Sequence, residues 1–254
     1  MKILAIHAHP DDIEILAGGT VALLAASGHD LTLATMTPGD CGSVEYSPEE
    51  TAQIRRGEAA AAAAVIGARY ICAEFRDLAI FSDDSSRRRV CELIREVRPE
   101  LVLTSSPIDY HCDHEATSAL VRDACFGCSA PNYRTGGTAA ALDAIPHLYY
   151  MDSIDGRDRD GRRQQATSYV NVESVFGKKR DMLAAHASQR NWLRRQHGMD
   201  DYILQMEEWT RAVGAHCGVK YAEGFRRYPG HPYPQSPLLE TLLDGYSIEP
   251  PKGN

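Results

Sequence analysis

Residues 2–12, KILAIHAHPDD, decide how this chain is read. Ile3-Leu4-Ala5-Ile6 is an apolar run with the length and composition of a buried strand. Two histidines, a proline and two adjacent aspartates follow it at once. Neighbouring carboxylates repel, and buried charge must be compensated. A positive partner at the end of this strand is therefore expected.

Outward from that stretch, strand and helix patterns alternate. Lys2–Ala8 is the first strand, Leu31–Met36 the second, Tyr70–Glu74 the third and Leu101–Ser105 the fourth. Gly18-Gly19-Thr20 opens an alanine- and leucine-rich helix that stops near Gly28. Ser47 caps a long helix with Pro48 in its first turn and Gly67 at its close. Ser85–Val97 is a further helix, and another follows from Glu115. This order predicts an α/β, Rossmann-like fold: a mostly parallel β-sheet with helices on both faces, in a single domain. Within residues 1–254, a β/α core with the site covers 1–126. Residues 127–228 supply a loop, extra strands and helices, and 229–254 form a proline-rich tail expected to wrap the surface. The extra strands are HLYYMDS and SYVNV, on either side of the charged turn DGRDRDGRR; the extra helices cover Glu173–Arg195 and Asp200–His216.

Bulk properties narrow the function classes. A chain of 254 residues suits one large α/β domain, and 43% apolar with 24% charged residues argues against disorder. A net charge of −8 disfavours a nucleic-acid partner. No apolar run reaches membrane-spanning length, and the first residues lack a signal-peptide pattern. Seven cysteines, an odd number, fit a reducing cytoplasm better than a disulfide framework. Cys125 and Cys128 form a C-x-x-C at the end of a helical pattern, where a redox pair would begin one, and read as packed, inert thiols.

A second polar cluster, SSPIDYHCDHEATS, follows the fourth strand as HAHPDD follows the first. If the sheet order begins 3-2-1-4, strands one and four are neighbours whose connections leave in opposite directions. A crevice then opens at their carboxyl ends, and both clusters meet there. A catalytic zinc takes three protein ligands and keeps one position open. Adjacent aspartates in an extended segment point to different sides, so one can bind metal while the other reaches a water on it. His111 and His114 can divide roles in the same way. Plainer readings stand beside this one: a single histidine is more often a satisfied polar residue, and Asp-rich turns are often solvated caps. His7 fits either a packed strand residue or a partner of a ligand, and is left out of the site. Asp40, in TPGDCGS, either contacts hydroxyls of a bound substrate or shapes a turn. His186 either caps a helix end or lines the pocket rim.

AHPDD at 8–12, GGT at 18–20, T-x-G-D-x-G at 37–42, IRRGE at 54–58, H-x-D-H at 111–114 and AAHASQ at 184–189 together resemble the PIG-L/LmbE-like family of zinc-dependent N-deacetylases. Members act on N-acetylglucosamine-type groups. The resemblance implies that His9, Asp12 and His114 hold zinc, with iron(II) able to occupy the same donors in the cell. It implies Asp11 as general base, His111 as the group that stabilises the oxyanion or donates a proton, and Asp113 as the carboxylate orienting His111. Arg55 and Asp40 are the expected substrate-binding residues. Relatives often form trimers or hexamers, which implies a homo-oligomer. Two departures stand out: the first motif runs D-D-I-E, and Cys112 occupies a position where proline is common, placing a thiol beside a ligand loop.

The expected function is metal-dependent hydrolysis of the N-acetyl group of a small amino-sugar substrate. An amidase of a larger N-acyl group or of a thiol conjugate would use the same site, and a non-catalytic metal-binding protein would lack a use for Asp11 and His111. An iron(II) oxygenase shares the two-histidine, one-carboxylate donor set, but the alternating β/α pattern disfavours it. A nucleotide-binding module would need a glycine-rich turn within residues 7–14, which have no glycine.

Overall fold

Ile3–Ile6 form the middle of a sheet whose two faces are both covered. Ile3 and Ala5 point into one apolar cluster and Leu4 and Ile6 into another, the period-two alternation of a strand buried on both sides. A computed structural model describes residues 1–190, 193 and 202–250. Its first half runs β1 (Lys2–His7), α1 (Asp12–Ala26), β2 (Asp30–Thr35), α2 (Pro48–Ala64), β3 (Arg69–Cys72), α3 (Asp84–Val97), β4 (Leu101–Thr104) and α4 (Cys112–Gly127). Then come β5 (His147–Met151), β6 (Ser168–Asn171), α5 (Phe176–Ala184), α6 (Tyr202–Cys217), β7 (Ala222–Arg227), α7 (Leu238–Leu242) and β8 (Ser247–Ile248).

The eight strands are ordered β3-β2-β1-β4-β5-β7-β6-β8. The first five pair in parallel and the other three antiparallel. The order begins 3-2-1-4, so β1 and β4 are neighbours and their carboxyl ends face one crevice, as the sequence implied. Helices α1, α2, α5 and α6 pack on one face and α3 and α4 on the other.

Local sequence explains most boundaries. Ser47 Oγ accepts from Glu50 N, and Ser47 N donates to Glu50 Oε2 at 3.0 Å, a complete capping box ahead of Pro48. Two helices begin earlier than expected. α1 starts at Asp12, six residues before Gly18, and α4 at Cys112, three before Glu115. The polar motifs are thus first turns of helices, which hid them from a search for apolar periodicity. The expected helix over Glu173–Arg195 is shorter: a 3-10 turn at Glu173–Val175 leads into α5, which ends at Ala184. The rest of that expectation lies partly outside the described residues. β7 has no counterpart in the sequence reading and separates β5 from β6. The end of the chain adds β8 to β6, and Tyr149 Oη donates to Glu240 Oε2 at 2.6 Å.

β7 explains the GGT motif. Glu223 is buried and accepts from the Gly19 and Thr20 amides at 2.9 and 2.7 Å. Lys179 Nζ donates to the Ile15 carbonyl at 2.7 Å and to Glu223 Oε1 at 2.5 Å. A buried ion pair is therefore laced into the middle turn of α1. At Gly19 a Cβ would fall 2.5 Å from Val172 Cβ, so only glycine lets the strand layer come this close. Gly19→Ala is expected to cost about 1–3 kcal/mol. Thermal unfolding checks this, with Tm falling by roughly 5 °C.

Both cysteines of the C-x-x-C are free and fully buried. Burial pushes the Cys125 thiol well up and that of Cys128 to about 12, as expected of inert, packed thiols.

Candidate metal and active site

The chain leaves β1 through His7, turns at Pro10 and enters α1 at Asp12, which becomes the hub of the site. Asp12 Oδ2 lies 2.6 Å from His7 Nδ1 and accepts from the His9 amide at 2.8 Å. His9 Nδ1 and His114 Nε2 each stand 3.4 Å from the same oxygen. His9 and His114 also belong, with His111, to a group whose ring nitrogens lie within 4.8 Å of one another. The adjacency of β1 and β4 thus brings His9 and Asp12 to His114, more than a hundred positions further on, and the donor groups that close within 4.8 Å there are His7–Asp12–His114 and His9–His111–His114.

The far side of each histidine is held by a carboxylate. His114 Nδ1 is 3.0 Å from Asp109 Oδ1, and His9 Nε2 is 3.0 Å from Asp77 Oδ1 and 3.3 Å from Asp113 Oδ2. Such outer carboxylates fix ring orientation and leave the other nitrogen to face a metal. Burial opposes protonation of His9, yet its hydrogen bonds to Asp113, Asp12 and Asp77 outweigh it and hold its pKa well above the usual value. Burial likewise works to raise Asp12, but His7 and His114 prevail and keep it well below the usual carboxylate range. Two imidazoles and one carboxylate are a donor set that suits zinc or iron(II).

Asp11 is separated from Asp12 by a kink. Its φ of 98° lies in the left-handed region, which is costly for a residue other than glycine, and its side chain makes no cap to α1. The two carboxylates diverge because of this kink and not, as expected, through strand alternation. Asp11 Oδ2 accepts from Tyr202 Oη and stands 3.8 Å from Arg55 Nη2. Burial raises its pKa, Arg55 offsets this in part, and the neighbouring Asp12 adds to it. Arg55 reaches in from α2 and donates to the Gly39 carbonyl at 3.0 Å and the Pro10 carbonyl at 2.9 Å. Gly39 has φ 70°, and a Cβ there would meet Arg55 Nη1 at 2.2 Å. The glycine of TPGD thus makes room for the arginine that braces the HPDD turn.

The remaining expected residues fall as follows. His111 caps α4, and its Nδ1 accepts from the Asp113 amide at 3.2 Å. Its ring stacks on that of His114 at 4.8 Å. Burial, with His9 and His114 beside it, lowers its pKa. Asp113 meets His111 through that amide, while its carboxylate accepts from Leu78 N at 2.7 Å and contacts His9. Asp40 Oδ1 accepts from Asp77 N at 3.0 Å, which ties the TPGD loop to the loop after β3. His186 is buried, with Nε2 3.5 Å from Glu14 Oε1.

Sequence reasoning left His7 out of the site, although a partner of a ligand was one of the two readings given for it and its ring holds Asp12, and it missed Asp77, Asp109 and Tyr202. Asp109 stands five residues before His114 and was open to notice as its partner. Asp77 and Tyr202 are isolated polar residues with no local pattern; only their position at the crevice gives them meaning. Around these groups lies a cavity of about 560 Å³, well within the range of small-molecule sites. His9, Asp11, Asp12, His111 and His114 line one end, and Ile15, Ile154, Leu193 and Trp209 give it an apolar wall. Among the described lining residues Arg55 is the one fixed cation, and each of its Nη atoms gives one hydrogen bond to a backbone carbonyl. A carboxylate free of the histidine cluster, set beside it on the same cavity, equips the site for metal-assisted proton abstraction.

Residues 4–125 match the family model described as PIG-L: GlcNAc-PI de-N-acetylase. A 1D-myo-inositol 2-acetamido-2-deoxy-alpha-D-glucopyranoside deacetylase from Thermobispora bispora is 34% identical, over 88% of this chain and 93% of its own length. The chain belongs to the PIG-L family. Among other PIG-L relatives, a diacetylchitobiose deacetylase from Thermococcus kodakarensis is 29% identical over 90% of this chain and 84% of its own. The fold is also close to that of GalB, a 4-carboxy-2-hydroxymuconate hydratase from Pseudomonas putida. The TM-score is 0.75 at 23% identity, covering 93% of this chain and all of that one. No helix among the described residues is long and apolar enough to cross a membrane.

Proposed function

We propose that this PIG-L member is a metal-dependent N-deacetylase that releases acetate from an N-acetylglucosamine-type substrate, with zinc held by His9, Asp12 and His114. The observation that carries the reading is Asp11: a buried carboxylate outside the ligand set, strained into place beside it and facing the same cavity. Relatives named as deacetylases of amino-sugar compounds support it.

Bound, zinc supplies a Lewis acid and hydroxide near neutral pH. Asp11 takes the proton of the attacking water, with Tyr202 and Arg55 fixing the direction in which its carboxylate points. His111, across the ligand histidines, donates a hydrogen bond to the oxygen that gains charge as the acetamide carbon becomes tetrahedral. A preorganised donor of this kind is worth about 3–4 kcal/mol in comparable acyl-transfer sites. The departing nitrogen needs a proton, since an amide anion is a very poor leaving group, and Asp11 holds the one it has just accepted. The apolar wall receives the hydrophobic face of the sugar.

The likeness to a hydratase gives a second reading, addition of water to an unsaturated polycarboxylic acid. The lining speaks against it: Asp11, Asp12 and Asp77 face the cavity, and its one fixed cation among the described residues stands beside the Asp11 carboxylate. A neutral amide enters such a site at lower electrostatic cost than a polyanion. The test is a panel of N-acylated glucosamine conjugates scored for free amine and for acid, set beside an unsaturated polycarboxylate. Release of acetate and amine by the zinc-loaded enzyme is expected, with longer acyl groups slower. Hydration of the polycarboxylate without amine release from any conjugate overturns the proposal. Asp12→Ala is expected to lose bound zinc, read by elemental analysis, together with turnover.

A further inference from the structure

The charged stretch 155–163 has no part in the proposed reaction, yet it leads to a residue that holds the loop after β4. Between β5 and β6 the chain folds into a hairpin: Arg157 is bridged to Arg163, and Asp158 N donates to the Arg162 carbonyl at 2.9 Å. Gln164 closes it and is buried. Its Nε2 donates to Ser106 Oγ at 2.8 Å and to the Ile108 carbonyl at 2.7 Å, while Oε1 accepts from Ser153 N at 3.2 Å. The amide fits only this way round, because a flipped Nε2 would face the Ser153 N–H.

The Ile108 carbonyl belongs to the peptide that joins Ile108 to Asp109. The N–H edge of the same peptide donates to Glu115 Oε1 at 2.9 Å, and Arg159 of the hairpin pairs with the other Glu115 oxygen at 2.6 Å. Both edges of one planar unit are thus pinned. Asp109 is buried; its Oδ1 meets His114 Nδ1 at 3.0 Å and accepts from His111 N at 3.2 Å, and its Oδ2 has no hydrogen-bond partner. Among the described residues no other group holds this carboxylate, so its direction follows from the peptide before it.

We infer, on the ligand role proposed for His114, that the hairpin over residues 153–164 is a positioning strap for the metal centre. Gln164, with Glu115 on the opposite edge, fixes the Ile108–Asp109 peptide, and through Asp109 the imidazole of His114. Carboxylates that orient a ligand histidine are worth roughly 10–100-fold in metal affinity. Gln164 acts by aiming one of them, from a segment outside the residues 4–125 that the family model matches.

Zinc affinity of the metal-free full chain, read by competition with a chromophoric chelator, tests this without any activity. Asp109→Asn is expected to weaken zinc binding by roughly 10–100-fold and Gln164→Met by roughly tenfold. The double variant binds like Asp109→Asn, within about threefold, because Gln164 has nothing left to aim; independent contributions would multiply. Glu115→Ala frees the other edge of the peptide from a partly exposed position, so it serves where Gln164→Met fails to fold, and it too loses roughly tenfold. Wild-type affinity in Gln164→Met or Glu115→Ala, or losses that multiply in the double variant, disproves the strap. His114→Ala separates this from the site itself. If it loses zinc while Gln164→Met does not, the strap alone is overturned; if it binds as the wild type does, the metal centre fails and the strap with it.

Discussion

Replacing Asp11 by asparagine is expected to lower kcat by roughly 10²–10⁴-fold, the usual contribution of a positioned general base, without loss of bound metal. Asparagine is the informative substitution because it tolerates the left-handed backbone that this position adopts, whereas alanine would add strain of its own. Its amide keeps an oxygen for Tyr202 Oη and for the Arg55 side, so the turn holds its shape. What disappears is the capacity to accept a proton. Metal content by elemental analysis and KM stay near the wild-type values, and the loss falls on kcat. A variant that retains activity within about threefold of the wild type would mean that another group takes the proton, since general-base losses start near 10².

The second large effect lies away from the site. Lys179→Met leaves Glu223 charged, buried and without its cation, which costs about 3–5 kcal/mol. For a domain of this size that lowers Tm by roughly 10 °C. The double variant Lys179→Met, Glu223→Gln regains part of the loss, because the buried charge is gone and glutamine still offers one oxygen to the Gly19 or Thr20 amide. Calorimetry of the three proteins at one pH checks both statements. Equal melting of the single variant and the wild type contradicts the assignment of this pair as a structural link between α1 and β7.

What the sequence disclosed and what it hid have the same physical origin. Ile3–Ile6 and Leu101–Leu103 announce themselves because strands buried on both faces are continuously apolar. Once two such strands are seen to end in His/Asp clusters, their adjacency follows from the order of a doubly wound sheet, and the structure has it. β7 stayed hidden because two of the four buried positions of Ala-Glu-Gly-Phe-Arg-Arg are a glutamate and a glycine; Glu223 is buried for the sake of Lys179, 44 positions away, and of the α1 amides. The early start of α1 was hidden for a related reason: its first turn is held by side chains of the site, so polarity masks a buried helix end. Asp77 and Tyr202 belong to this class too. Each is one polar residue in an unremarked stretch, and each acquires a role only when a distant loop or helix is folded over the crevice.

Anomalous X-ray scattering from a crystal grown with zinc tests the central claim most directly. The account predicts a strong peak about 2.0–2.2 Å from a nitrogen of His9, a carboxylate oxygen of Asp12 and a nitrogen of His114 at one equivalent of metal. A principal peak on a different trio, such as His9 with Asp77 and Asp113, or none within bonding distance of Asp12, would contradict it.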